Sequence, residues 1–535
     1  MDVGHARVAS RQRPEGGPCA QQLGIGHRRA EAGGEVSRQP RARVGARRLD
    51  RGGENRVHPV ARCLIGRGDQ IVDAVEIMAQ QPRRHPRLFA DGANIGARKA
   101  AFGQTRRGRL DQGGAAGAGA FARKGLASGS HVVIRMYNKD GPMAMLRETF
   151  DNIDPLDGWS LPAWTYSDPD FYAVEMARIF RPSWQVVCHD SDIANPGDWH
   201  SIDYCGESII LVRGTDRIVR AFTNVCRHRG SRLVDGAAGC AKKLVCPYHA
   251  WTYELDGRLT GVPDSASYPT LDKGRAGLVG VEAEQWRGFW FVRLDDDGGP
   301  SVADMMAPYE TTVEPYRFEE LGALGRVTLR PRAVNWKNVG DNYSDGLHIP
   351  VAHPGLTRLF GKSYGVEARE RVDRMWGDLV DRPSANWSER LYQRLLPPIP
   401  HLPADRQRHW LYFKLWPNVA FDIYPDQVDF MQWLPTGPTS CLIREISYVL
   451  PDAYTGEWRH EMRAARYLNW RINRQVNAED TALITRVQQG MQSQSFSMGP
   501  LSDKEVCLKH FCARMRAIIP EARLEHAPAA GWSNK

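Results

Sequence analysis

The sequence predicts an α+β protein in which a small all-β unit precedes a larger half of helices and antiparallel strands, and three observations carry that reading. Between about 184 and 295, short β-rich stretches alternate with turn signals. After about 297, helical patterns appear beside strand-like runs, the mark of an α+β layer. Before about 135 there is no periodic pattern at all. A chain of 535 residues leaves room for about two to four domains, each with a buried core.

The first quarter stands apart. Residues 1–135 contain no Trp or Tyr and three Phe, and the Gly/Ala run 113–120 interrupts any apolar periodicity. They hold 25 Lys+Arg against 11 Asp+Glu, so the net +9 of the whole chain conceals +14 here and −5 over 136–535. Such a segment cannot bury enough surface to offset the entropy of ordering it. A basic arm for nucleic acid or anionic lipid is one reading. The reading preferred here is a disordered extension over 1–142, or a start assigned too far upstream, with Met136, Met143 and Met145 as later starts. No nucleic-acid partner is expected. No run of about 18 uncharged apolar residues exists to span a membrane. An Arg- and Gly-rich start without an apolar core argues against a secretory signal, so a cytoplasmic protein is expected. Ten cysteines are too few and too scattered for a disulfide scaffold of this length.

Residues 168–181 read as a short amphipathic helix stopped by Pro182. Strands are expected at Trp184–Cys188, Ser208–Arg213, Val219–Asn224, Trp251–Tyr253 and Phe289–Leu294, with turns at Asp235-Gly236 and Asp256-Gly257. A helix follows around 336–348, then strands near 410–424, 428–434 and 441–449, and a long helix over about 456–490.

Inside the β-rich block lie Cys226-x-His228 and, seventeen residues on, Cys246-x-x-His249. Each arm pairs one thiol with one imidazole. Zinc fingers usually segregate their ligands, with Cys in one arm and His in the other. A Rieske [2Fe-2S] cluster needs two cysteines on one iron and two histidines on the other. Two loops that each supply one of each meet that demand. Cys240, between the arms, has no paired histidine and reads as a bystander thiol.

Downstream, Asp345, His348 and His353 form a second group. On a helix Asp345 and His348 would share one face. His353, five beyond His348, would point elsewhere unless Pro350 kinked the chain. Two imidazoles and one carboxylate make the facial set used for non-haem Fe(II). The carboxylate is expected from the long C-terminal helix, with Asp480 the candidate and its neighbour Glu479 the substitute.

Taken in order, Cys226-Arg227-His228-Arg229-Gly230, Cys246-Pro247-Tyr248-His249-Ala250-Trp251 and the His348/His353 pair resemble the Rieske non-haem iron oxygenases, the large (α) subunits of aromatic ring-hydroxylating dioxygenases. The resemblance covers about 146–515. It implies a Rieske domain over 183–296 and a catalytic domain, built on a helix-grip (START-like) sheet, from 143–182 and 297–535. Cys226, His228, Cys246 and His249 would hold the cluster, and His348, His353 and Asp480 the iron. Asp345 would be a bridging carboxylate, linking His249 of one subunit to His348 of the next in a head-to-tail homotrimer, with Asp341 a weaker alternative. Asn342 would be a pocket residue close to iron. The implied activity is that of a terminal oxygenase using O2 and electrons from an NAD(P)H-dependent reductase, with or without a ferredoxin, to hydroxylate an aromatic compound. The alternative is N-demethylation or hydroxylation of a quaternary ammonium, betaine-type substrate, since the stretch 341–353 is similar to choline- and betaine-oxidising members. Trp410, Tyr412, Phe413, Trp416, Phe421 and Tyr424 could then cage a cation, although sheet core is the favoured reading for them. A lone electron-transfer ferredoxin would need nothing beyond the β unit, and the second histidine pair argues against that.

Overall fold

A computed structural model of the chain describes residues 155–451 and 456–534, so the extension expected over 1–142 lies outside the described residues. Helix α1 (Pro169–Glu175) starts where the Asp168 carboxylate accepts from the Phe171 amide, with Pro169 in the first turn, where no amide donor is needed. It is shorter than expected because Met176–Phe180 opens into a wider π-type turn.

The β-rich block forms ten strands: β1 (Gln185–His189), β2 (Asp198–Tyr204), β3 (Glu207–Arg213), β4 (Val219–Thr223), β5 (Ala238–Cys240), β6 (Leu244–Val245), β7 (Thr252–Tyr253), β8 (Leu259–Gly261), β9 (Gly280–Trp286) and β10 (Phe289–Arg293). Seven of them make one sheet in the order β1-β10-β9-β4-β3-β2-β5, and β6-β7-β8 make a small second sheet. The five strands expected from sequence all form, within a residue or two of their expected bounds. At the Asp256-Gly257 turn, Gly257 has φ +89°, and a Cβ there would lie 2.6 Å from the Phe222 ring, so the turn and the core behind it both require glycine.

The second half supplies β11 (Gly322–Ala323), β12 (Thr328–Arg332), β13 (Gly365–Ala368), β14 (Val372–Asp378), β15 (His409–Leu415), β16 (Val419–Ile423), β17 (Val428–Gly437) and β18 (Ser440–Val449). They form one sheet in the order β11-β18-β17-β16-β15-β14-β13, with β12 also paired to β18. The run expected near 410–424 is two strands, because Pro417 has no amide donor to continue a ladder. Besides two short helices at Val302–Met306 and Glu310–Val313, this half holds α2 (Trp336–Ser344), α3 (Ile349–Ala352), α4 (Pro354–Phe360), α5 (Trp387–Leu395), α6 (Arg459–Gly490) and α7 (Val506–Ile518). At 32 residues, α6 is about 48 Å long. No helix among the described residues is long and apolar enough to cross a membrane.

Period-two alternation gives the large sheet two different faces. Leu411, Phe413, Val419, Phe421, Phe430 and Tyr448 point one way and pack against Trp286, Phe289 and Phe291 of the first sheet. The residues between them face the helices and line a cavity. Glu175 on α1 and Lys337 on α2 form an ion pair at 2.6 Å with both side chains fully buried, which ties the N-terminal helix to the element that leads into the histidine pair.

Candidate metal centres and the cavity beside them

Cys226 and His228 lie in the loop after β4, and Cys246 and His249 in the loop between β6 and β7. The two loops close in the same way. In each, the cysteine amide donates to the carbonyl five residues on (Ser231 and Trp251, both 2.8 Å), and the cysteine carbonyl accepts from the amide four residues on (Gly230 and Ala250, both 3.0 Å). Gly230 and Ala250 both carry positive φ. The cysteines are buried, and the histidine rings meet at 4.7 Å between centroids. Nδ1 of His228 and of His249 is buried without a protein partner. An orphaned ring nitrogen is costly unless something occupies it. Burial raises the Cys246 thiol, but the Tyr248 and His249 amides aimed at its sulfur outweigh that and leave its pKa lowered. Two convergent thiols and two unpartnered imidazole nitrogens are the donor set a Rieske cluster requires. Stacking of His228 on Trp251, at 4.8 Å and 6° between planes, fixes one ring. Cys240 sits on β5, outside both loops, and is disulfide-bonded rather than a free bystander thiol.

The second group converges differently from the expectation. The helix does not run to 348: α2 ends at Ser344, and Asp345 is already extended at φ −80° and ψ 122°. Asp345 and His348 therefore share a turn and not a helical face. The Asp345 carboxylate accepts from the amides of Leu347 (2.7 Å) and His348 (3.3 Å) and lies 3.1 Å from His348 Nδ1. Pro350 falls in the first turn of α3, where its missing amide hydrogen breaks nothing. His348 and His353 flank that four-residue helix at its two ends, which turns both rings inward.

Three donor atoms then meet. His348 Nε2 and His353 Nε2 are 3.0 Å apart, and Asp480 Oδ1, from α6, lies 2.9 Å from His353 Nε2 and 3.6 Å from His348 Nε2. The outer nitrogens are also engaged: His348 Nδ1 by Asp345, and His353 Nδ1 by Glu479 at 2.8 Å. If each Nδ1–H is donated outward, two Nε2 lone pairs and a carboxylate oxygen face one another, an arrangement that calls for a cation between them. Burial opposes charge on His348, yet Asp345 and Asp480 raise its pKa to about 9. The two histidines hold Asp480 down to about 2 against its burial. Asn342 donates to Asp480 Oδ1 at 2.8 Å, which places it beside the three donor atoms. Asp341 turns away: its Oδ2 accepts from Tyr166 at 2.8 Å, and burial raises its pKa to about 6. Glu479 takes a supporting place on His353, while Asp480 takes the converging one.

The donor set opens onto a cavity of ≈ 130 Å³. Its walls include Tyr343, Tyr364, Tyr412 and Tyr424, and its floor carries Asp422, Asp429 and Glu445. Tyr343 donates to Asp422 at 2.5 Å and Tyr424 lies 3.4 Å from the same carboxylate. Burial pushes Asp422 up to about 7. Of the six aromatics considered for a cation cage, Tyr412 and Tyr424 line this cavity. Trp410, Phe413, Trp416 and Phe421 are core. The floor acids escaped the sequence reading, although an acid in the middle of an otherwise apolar strand, as in Val419–Ile423, was a signal available for finding them.

A thiol- and imidazole-bearing β unit joined to a sheet gripping a long helix, with two histidines and an aspartate at the grip, defines an oxygenase that couples an iron–sulfur cluster to a mononuclear iron. The Rieske [2Fe-2S] domain family matches residues 183–272, and the ring hydroxylating alpha subunit (catalytic domain) family matches 318–521. The chain is 31% identical over 349 residues to the carnitine monooxygenase oxygenase subunit of Escherichia coli (strain K12), covering 64% of this chain and 87% of that protein. It is 36% identical over 253 residues to the glycine betaine monooxygenase oxygenase subunit of Chromohalobacter salexigens, covering 47% and 56%. The fold is similar to that of the quaternary ammonium Rieske monooxygenase CntA, with a TM-score of 0.57, 24% identity, and coverage of 68% of this chain and 96% of that one. This chain belongs to the Rieske non-haem iron oxygenases, as an oxygenase (α) subunit. As such it is an oxidoreductase that carries a [2Fe-2S] cluster and a mononuclear iron and works with a reductase.

Proposed function

We propose that the chain oxidises a quaternary ammonium compound, the second of the two substrate classes left open by the sequence, in place of an aromatic ring. The cavity lining carries this reading. A hydrocarbon ring would strip water from Asp422, Asp429 and Glu445 and give nothing in return. A trimethylammonium group offers charge to those acids and cation–π contact to the tyrosines. The sequence similarity to carnitine and glycine betaine monooxygenases supports the same choice.

In this reading Cys226, Cys246, His228 and His249 hold the cluster, and His348, His353 and Asp480 hold the iron. When bound, the two metals supply electrons one at a time and the activation of O2. Asp345 and Glu479 keep the Nδ1 protons of His348 and His353 in place, fixing both rings. Asn342 orients Asp480. The tyrosine walls exclude water and hold a methyl group toward the histidine pair. We further propose a homotrimer in which His249 of a neighbouring subunit reaches the free side of Asp345. Both ends of that link sit among exposed apolar side chains, Val245 (47%) and Tyr248 (56%) beside His249, and Leu347 (40%) and Val351 (85%) beside Asp345. Such unlike patches suit a head-to-tail ring.

The test is substrate depletion by iron-loaded enzyme, with NADH and a surrogate reductase, across trimethylammonium compounds, aromatic acids and naphthalene. Turnover of the trimethylammonium set alone is expected. Turnover confined to the aromatic set would overturn the assignment.

A further inference from the structure

The cavity floor has a direction. Arg330 and Arg332 stand two apart on β12 and so share the face that lines the cavity. β18 beside it contributes Glu445, β17 contributes Asp429, β16 contributes Asp422 and β15 contributes Tyr412. Crossing the sheet, the floor thus passes from guanidinium to carboxylate to phenol. The β12 and β16 backbones lie three strand spacings, about 14 Å, apart. Arg332 faces Cys441, while Asp422 lines up through Asp429 with Ser447, six residues along β18, so the floor runs diagonally over the sheet and the long arginine side chains shorten the gap at the level of the cavity.

The two arginines are not equally placed. Arg330 pairs with Glu445 at 2.8 Å. Arg332 has no carboxylate within ion-pair distance among the described residues. Its Nη1 donates to the adjacent Pro331 carbonyl at 3.1 Å, and its Nε is buried without a partner. A half-buried guanidinium beside a second one is an unfavourable place for a charge, and its pKa is lowered by burial and by Arg330. The tyrosines and acids at the other end of the floor favour a cation. No cation can use Arg332.

We propose that Arg332 anchors a carboxylate on the substrate, so that the enzyme selects zwitterionic quaternary ammonium compounds over simple cations. The inference rests on the quaternary ammonium reading and adds the opposite end of the molecule to it. The ammonium group lies among Tyr343, Tyr412, Tyr424 and Asp422, and the carboxylate reaches the β12 edge, where a guanidinium fork can take both of its oxygens. The dipole of the ligand then runs along the dipole of the floor. A cation with a hydroxyl tail leaves Arg332 buried and unpaired.

Two substrates of matched size separate these cases: a trimethylammonium carboxylate and the corresponding trimethylammonium alcohol. The wild-type enzyme, carrying cluster and iron, is expected to favour the carboxylate by about 10–100-fold in kcat/KM, the scale of one charged hydrogen-bonded pair. In Arg332→Met the ratio falls to near one, chiefly through a raised KM for the carboxylate. Arg332→Lys, which keeps the charge without the fork, gives an intermediate ratio and serves if the methionine variant does not fold. A wild-type ratio near one, or equal losses for both substrates in the variants, overturns the role of Arg332 while leaving the quaternary ammonium reading intact. Oxidation of neither substrate by the loaded wild type overturns that reading itself.

Discussion

Replacing Glu479 by Ala removes the acceptor on His353 Nδ1, a contact of 2.8 Å on a ring that is 2% exposed. Three consequences follow from the geometry. The ring loses the partner that fixes which nitrogen carries the proton, so the Nδ1-protonated form that leaves Nε2 free for metal is no longer selected. The buried Nδ1–H is left unpaired. The imidazole also becomes a weaker base, because a neighbouring anion no longer supports charge on it. Removal of a carboxylate of this kind typically lowers metal affinity by about 10–100-fold, which is about 1.4–2.7 kcal/mol. Glu479→Gln keeps an acceptor oxygen within reach of Nδ1 and should recover part of the loss. The assay is anaerobic titration with Fe(II), or with Co(II) as a spectroscopic substitute, on protein whose Rieske absorption is intact. That absorption is the internal control, since Glu479 lies on α6 and touches neither cluster loop. If Glu479→Ala binds the metal as tightly as wild type, Glu479 does not position His353, and its contact is incidental.

Asp345→Asn should retain both metals yet slow cluster-to-iron electron transfer by about 10-fold or more in single-turnover stopped flow, because an amide cannot accept from two imidazoles as a carboxylate does; an unchanged rate would remove Asp345 from the path. Burial pushes Asp422 up to about 7, so its carboxyl is neutral below that pH and charged above it. A cationic substrate binds the charged form, and KM should therefore fall as pH rises from about 6 to about 8, a dependence that Asp422→Asn should flatten. Lys337→Met leaves Glu175 buried and unpaired, at a cost of about 3–5 kcal/mol, visible as a lowered Tm. Adding Glu175→Met should restore most of it.

The fold and the cluster loops were legible because their signals are local. Cys226-x-His228 and Cys246-x-x-His249 each place a thiol and an imidazole within one tight loop, so ligand identity and loop geometry come from the same few residues. The large strands were equally plain, because β15–β18 bury one face against the first sheet and show it as period-two apolar runs. The weaker strands were missed. β2 mixes buried with partly exposed residues and β9 is exposed or partly exposed up to Trp286, so neither shows the continuous apolar run that marks β3. At the histidine pair the structure brings the named side chains together, but by a different backbone route from the one the sequence suggested. A helix continued to 348 needed a kink at Pro350 to bring His353 round. The chain instead leaves the helix at Asp345, whose carboxylate satisfies the Leu347 and His348 amides and stabilises the turn. The same side chain thus ends α2 and orients His348, and helical periodicity could not show that double duty.

The cavity was the least legible part, for a physical reason. On a two-faced sheet, an acid at an alternate position usually marks the solvent side, which is why Asp422, Asp429 and Glu445 escaped the sequence reading. The second face here is covered by α2 and α6, elements more than a hundred residues apart in sequence, and only their packing turns an outer face into an inner one. Once covered, these acids become costly charges: burial raises the pKa of all three. A fold tolerates that cost where a ligand of opposite charge relieves it. The same logic applies in reverse to Arg332 at the other edge of the floor. Acids without a basic ion-pair partner among the described residues at one end (Asp422 and Asp429) and a guanidinium without an acidic one at the other (Arg332) are more readily explained by one dipolar occupant than by two unrelated defects in packing.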